Sequence, residues 1–114
     1  MIKSIALAYR KAGMSHEEFV NYWKNVHAPL AKAIPGMRKY VQNYILPVPG
    51  REDEADGIVE MWWDDIESYQ KFLAWVQTEA GRELREDGDK FSDMRKGRMW
   101  LAEEYIVVDN TRKK

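Results

Sequence analysis

Histidine 27 stands in the run FVNYWKNVHAPLAKAIPGMRKY, residues 19–40, with Pro29 two positions later and Tyr40 at the far end. An imidazole takes or gives a proton near neutral pH, and a phenol can donate a hydrogen bond to a developing oxyanion. Together they suit enolisation, cyclisation or decarboxylation of an activated substrate. Proline inside a helix removes a backbone hydrogen bond and clashes with the preceding turn, at roughly 3 kcal/mol. Pro29 cannot donate to the carbonyl of Asn25, so the helix is expected to kink or restart near His27. A freed carbonyl there would fix the imidazole tautomer or hold a water. His27 falls about 60° from the centre of the apolar stripe, at the edge of a helix–sheet interface. The residues leave two roles open: proton transfer in a cavity, or a partly buried histidine satisfied by backbone.

The other polar candidates are weaker. His16 falls in a first helical turn and is expected at the surface. HEEFV lacks the second histidine of a zinc helix, because position 20 is Val, and two histidines eleven apart without cysteine make no metal site. Tyr40, Gln42 and Tyr44 share one face of a strand; if it faces the helices, both phenols converge on His27, with Tyr44 the more ordinary packing residue. Trp23, Met61, Trp63 and Trp75, with Tyr44 and Phe91, form the expected substrate-binding wall. Each of them would serve equally well as core. Glu60, charged within an apolar strand, is expected to pair with an Arg or Lys across a subunit contact. Arg95-Lys96-Gly97-Arg98 reads as a solvated turn. No phosphate cradle, nucleophile elbow or paired catalytic carboxylates are visible.

The elements that must hold these groups follow from periodicity. Residues 1–9 read as a strand. Ser15 and Glu18 make a capping box before a helix whose stripe is Phe19, Trp23, Val26, Leu30 and Ile34, stopped by Pro35-Gly36. Residues 37–47 form a second strand, followed by a solvated loop from Pro47 to Asp56. Residues 57–63 form a third strand, with Gly57, Val59, Met61 and Trp63 on one face and Ile58, Glu60 and Trp62 on the other. Asp64 or Asp65 caps a second helix with the stripe Ile66, Tyr69, Phe72 or Leu73, and Val76. A charged stretch, 79–98, is expected to break at Gly88 and Gly97, with Phe91 and Met94 as apolar anchors. A last strand spans 99–108. The order β-α-β-β-α-β is the ferredoxin-like α+β arrangement, an antiparallel sheet with both helices on one face. Its open face carries large apolar groups, which implies a second subunit.

With 114 residues the chain reads as one domain, 1–110, and a basic tail, 111–114. A net charge of −1 offers no field for a phosphate backbone, so nucleic acid is not expected. There is no cysteine, and hence no disulfide, thiolate site or cysteine nucleophile. Without an apolar run of membrane length, the expected setting is cytoplasmic and free of membrane.

Phe19-x-x-Tyr22-Trp23-x-x-x-His27-x-Pro29, followed by Ile34-Pro35-Gly36-Met37-x-x-Tyr40, resembles the EthD family of the dimeric α+β-barrel superfamily. Asp56-Gly57-x-x-Glu60-Met61-Trp62-Trp63, Asp87-x-x-x-Phe91-x-Asp93 and Glu103-Glu104 continue the likeness nearly end to end. The resemblance implies a homodimer whose two sheets form a central barrel. The family name comes from an accessory protein of an ether-degrading oxidoreductase system. A similar isomerase has a histidine and a tyrosine spaced as His27 and Tyr40 are, but its further active-site histidine and cysteine have no counterparts; Met61 stands at the cysteine position. Related barrels include polyketide cyclases, decarboxylases and cofactor-free monooxygenases. The expected function is therefore a cofactor-independent enzyme of isomerase, cyclase or decarboxylase type for a small oxygenated, aromatic or polyketide-like metabolite, with His27 and Tyr40 as its acid–base pair. A non-catalytic binding or accessory protein of a monooxygenase degradation pathway is the alternative.

Overall fold

The structure, a computed structural model, describes residues 1–50 and 55–111. Part of the expected loop (51–54) and most of the basic tail (112–114) lie outside them. Strand β1 (Ile2–Ala8) is followed by α1 (His16–Tyr22), a π-helical turn (Trp23–His27), the short α2 (Ala28–Leu30) and a 3-10 turn (Ala31–Ala33). Next come β2 (Lys39–Tyr44), β3 (Gly57–Trp63), α3 (Ile66–Val76), a 3-10 turn (Glu79–Gly81), α4 (Arg82–Phe91) and β4 (Arg98–Glu103). The sheet order is β2-β3-β1-β4 with every pairing antiparallel. This is the expected ferredoxin-like α+β fold.

Local chemistry sets the element ends. Ser15 Oγ accepts from the Glu18 amide at 3.0 Å while the Ser15 amide donates to Glu18 Oε1 at 2.9 Å, a complete capping box. Asp65 rather than Asp64 caps α3, accepting from the Ser68 amide at 2.8 Å. Gly36 takes a φ of 74° after the first helical segment, a left-handed conformation that costs glycine little.

The helix-facing side of β3 carries Val59, Met61 and Trp63, as its alternation predicts. Trp63 is fully buried and donates through Nε1 to Ser4 Oγ at 3.2 Å. It centres one apolar cluster with Ala31, Ile34 and Tyr69; Phe19, Trp23 and Phe91 form a second. On the open face, Glu60 finds its cation in its own chain rather than across an interface: Lys3 Nζ lies 2.8 Å away, and Asn43 donates to the other oxygen at 3.0 Å.

Several expected boundaries move. The stripe Phe19, Trp23, Val26, Leu30, Ile34 holds at its ends but slips by one residue in the middle. Val26 is 46% exposed, and Ala31 is buried. The extra residue in the π turn is the cause, because it rephases the residues from His27 to Ala31; the tighter 3-10 turn that follows brings Ile34 back inward. Helix α4 runs through Gly88 instead of breaking there, and Met94 is 63% exposed instead of anchoring. Ile66 and Leu73 are also exposed, leaving Tyr69, Phe72, Trp75 and Val76 to face inward. β4 ends at Glu103, opposite Ile2, the first residue of β1, and residues 104–108 are not part of the strand.

Candidate active site

The first helical segment changes pitch between Tyr22 and Ala28. The Ala28 amide donates to Trp23 O, five residues back, which is the π-helical pattern. The Trp23 carbonyl also accepts from Gln42 Nε2 at 3.3 Å. Pro29 follows directly, at the start of α2, where a missing N–H is tolerated. The proline is thus accommodated by a widened turn, after which the helix restarts as α2.

That turn directs His27 against α4. Its Nδ1 lies 2.8 Å from Asp87 Oδ2, and its ring packs on Phe91 with centroids 4.9 Å apart. The tautomer is therefore fixed by a carboxylate, where sequence had suggested a freed carbonyl. Asp87 is only 5% exposed. Its other oxygen, Oδ1, accepts from the Tyr22 hydroxyl at 2.6 Å. Sharing this hydrogen bond with a carboxylate pushes the Tyr22 pKa up to about 12, so the phenol stays protonated and donates. Tyr22 also stacks on Phe91, at 5.1 Å and 27°.

With Nδ1–H given to Asp87, Nε2 carries the free lone pair. Among the described residues Nε2 has no hydrogen-bond partner, and no buried side-chain nitrogen or oxygen is left unsatisfied, so Nε2 opens on to accessible space. His27 lines a cavity of about 560 Å³ that lies between the two apolar clusters. That volume is typical of small-molecule sites.

Tyr40 lines the same cavity. Its hydroxyl oxygen accepts from Trp23 Nε1 and Gln42 Nε2, both at 3.3 Å. Two N–H bonds on the oxygen leave the phenolic proton for a group in the cavity. Burial raises the Tyr40 pKa, against the opposing pull of those two hydrogen bonds, so the phenol is a neutral donor. Gln42 is itself oriented by the Tyr44 hydroxyl, which donates to its Oε1 at 2.5 Å.

The cavity brings three of the six wall residues expected from sequence together with His27 and Tyr40. Trp23, Met61 and Phe91 join His27 and Tyr40 in the lining; Tyr44, Trp63 and Trp75 do not. Tyr44 stands edge-on to Trp23 at 5.5 Å and acts through Gln42. Trp63 and Trp75 belong to the core packing behind the cavity. Val59, Phe72, Val76 and Leu84 extend the apolar wall, and Arg85, Asp89, Asp93 and Arg98 supply its charges. Arg85 is tied back to the Val76 carbonyl.

Sequence reasoning gave no role to Asp87 or Tyr22. The available signal was the spacing Asp87-x-x-x-Phe91, which puts both on one face of a helix. The break expected at Gly88 concealed it. His16 sits at the start of α1 with Nδ1 2.8 Å from Asp56 Oδ1, beside a smaller cleft of about 320 Å³ lined largely by polar and charged groups. Among the described residues, no three His, Asp or Glu converge as metal ligands.

Comparison with known proteins places this geometry in context. A crystal structure of an ethyl tert-butyl ether D (EthD) family protein from Bacillus halodurans is 28% identical, with a TM-score of 0.69 over 92% of this chain and 100% of that one. A dimeric protein of unknown function and ferredoxin-like fold from Bacteroides fragilis is 14% identical, with a TM-score of 0.63 over 90% of this chain and 95% of that one. SnoaB, a cofactor-independent oxygenase from Streptomyces nogalater, is 10% identical, with a TM-score of 0.60 over 94% and 95%. At these identities the last two share the fold alone. No curated protein matches the chain. Residues 11–95, which include His27, Tyr40 and Asp87, match the EthD domain, and the chain belongs to that family.

Proposed function

We propose that this protein is a cofactor-independent enzyme of isomerase, cyclase or decarboxylase type, acting on a small oxygenated, aromatic or polyketide-like molecule. The observation that carries this reading is the imidazole at the cavity wall, held by a buried carboxylate on Nδ1 and open on Nε2. In that role Nε2 removes a proton from carbon or a phenol, and Asp87 stabilises the imidazolium that forms. Tyr40 donates its proton toward the resulting oxyanion. Positioned acid–base groups of this kind contribute typically about 10²–10⁴-fold, enough for activated carbon acids. Apolar and aromatic walls suit a ring system. The fold shared with a cofactor-independent oxygenase agrees with this class of chemistry.

The test is proton exchange. A panel of 1,3-diketones and hydroxynaphthoquinones is incubated with the protein in D₂O, and the loss of the acidic C–H signal is followed by NMR. Enzyme-accelerated exchange that disappears in His27→Gln, with ligand affinity retained, is the expected result. No acceleration with unchanged binding in His27→Gln would make this a ligand-binding accessory protein instead.

The protein is further proposed to work as a homodimer through its open sheet face. Trp100 is 49% exposed there, and the β-branched run Ile106-Val107-Val108 lies exposed beyond β4, an apolar surface of the kind that a partner covers. Analytical ultracentrifugation checks this: the native chain sediments as a dimer and Trp100→Glu as a monomer. A monomeric native chain at micromolar concentration would overturn it. Among the described residues no helix is long and apolar enough to cross a membrane.

A further inference from the structure

Tyr22 is the member of the hydrogen-bond set with no part in the chemistry proposed so far. Its position is unusual for a helix. Residues five apart on a regular α-helix point roughly 140° away from each other. Tyr22 and His27 nevertheless bond the two oxygens of one carboxylate, at 2.6 and 2.8 Å. The π turn between them makes this possible, because its extra residue brings positions five apart on to nearly one face.

The carboxylate they share is buried and, among the described residues, pairs with no cation other than the imidazole itself. Its charge is therefore divided between one neutral phenol and His27. A donor on Oδ1 draws electron density from the carboxylate and weakens its hold on an imidazolium proton.

We propose that Tyr22 is a positioning residue that sets the proton affinity of His27 by occupying Oδ1 of Asp87. The proposal rests on the reading of His27 as the base. Without the phenol, Asp87 turns its full charge on the ring, and the imidazole is protonated over a wider pH range. With it, part of that charge is taken up by the phenol, and the pull on the imidazole proton is weaker. The raised pKa of Tyr22 agrees, since it keeps the donor in place. Tyr40, Arg85, Asp89, Asp93 and Arg98 line the same cavity, and Lys24 lies one turn back on the helix. All are retained when Tyr22 alone is changed, so the difference between variants isolates the phenol.

The experiment is an NMR titration of the His27 imidazole Cε1–H, assigned by its absence in His27→Gln. It compares the native chain, Tyr22→Phe, and a chain carrying 3-fluorotyrosine at position 22. Phenylalanine keeps the stack on Phe91 but removes the donor; the fluorinated phenol is a stronger donor. The expected result is opposite shifts. The midpoint rises by about half a unit or more in Tyr22→Phe, roughly threefold in proton affinity, and falls with fluorotyrosine. An unchanged or lowered midpoint in Tyr22→Phe would overturn the proposal. If that variant does not fold, the fluorotyrosine chain decides alone, and no downward shift there is fatal. Because the titration needs no substrate, it is separate from the exchange assay. Opposite shifts alongside undiminished exchange in His27→Gln would leave the tuning standing and remove the acid–base reading.

Discussion

The protein contains two histidine–aspartate pairs with the same 2.8 Å separation, and their surroundings differ in one decisive respect. Asp56 is buried, but it is already matched by a permanent cation. Its Oδ2 accepts from the Arg10 amide at 2.8 Å, and the Arg10 guanidinium reaches Oδ1 at 3.4 Å, the same oxygen that meets His16. His16 itself is about a third exposed. Asp87 has no such cation among the described residues; its second partner is the neutral Tyr22. The first carboxylate is largely spent on structure, tying the end of β1 to α1 and β3. The second divides its charge between a neutral phenol and one imidazole, and that imidazole opens on a cavity. An identical contact can therefore be a clasp in one place and a proton-handling device in another, according to what else the carboxylate holds.

The comparison breaks most visibly in turnover. Asp87→Asn is expected to slow the exchange reaction by roughly 10²–10⁴-fold, whereas Asp56→Asn leaves it within about twofold. Equal losses in the two variants would mean that the pairs are not functionally distinct.

Gly57 offers a sharper probe, because it is the neighbour of Asp56 yet faces Trp23, the first residue of the π turn that carries His27. A Cβ there would overlap the Trp23 ring and stand 2.8 Å from the Asn43 carbonyl oxygen. Gly57→Ala should destabilise by about 1–3 kcal/mol through overpacking and also reduce turnover, since Trp23 leads into the π turn. Urea unfolding and the exchange assay on one preparation check both parts.

Asp56→Ala should affect stability by a similar or smaller amount, about 1–3 kcal/mol, because it strands the Arg10 amide and the His16 ring without their acceptor. A loss below about half a kcal/mol in urea titrations would contradict the role of a clasp.

The smallest effect concerns the Lys3–Glu60 pair, a reference without histidine. Hydrogen bonds from Lys3 and Asn43 hold the Glu60 carboxyl below its ordinary 4.5, and Glu60 holds Lys3 above 10.5. The depressed carboxyl contributes stability above about pH 4.5 and loses it as pH falls through the folded value. The raised ammonium contributes below pH 10.5 and loses that as pH rises through its folded value. Glu60→Gln should therefore flatten the acid and alkaline limbs of a stability–pH curve and change little else.

Much of this was legible in the chain. The capping box at Ser15 and Glu18, the Pro35-Gly36 stop and the two-residue alternation of β2 and β3 are local signals, and local signals survive into the fold. The pairing of His27 with Tyr40 across one cavity was legible for the same reason: one stripe and one strand face give both positions. What escaped was non-local. Nothing in the period of the first helix announces a widened turn, so a regular period points to Val26 and Leu30 where His27 and Ala31 turn inward. Asp87 sits in a helix rich in Glu, Arg and Lys, where residue type cannot tell one buried acid from its exposed neighbours. Its partners, Tyr22 and His27, are 65 and 60 residues away.

Gly81 carries a consequence for how the site keeps its shape. A Cβ at this corner between α3 and α4 would run into the backbone of Trp75 and Val76, so α4 starts from a tightly nested point. The helix bears Leu84, Arg85, Gly88, Asp89 and Phe91, much of one cavity wall, together with Asp87. One close approach of backbone therefore fixes two things at once, the shape of the cavity wall and the place of the carboxylate that meets His27.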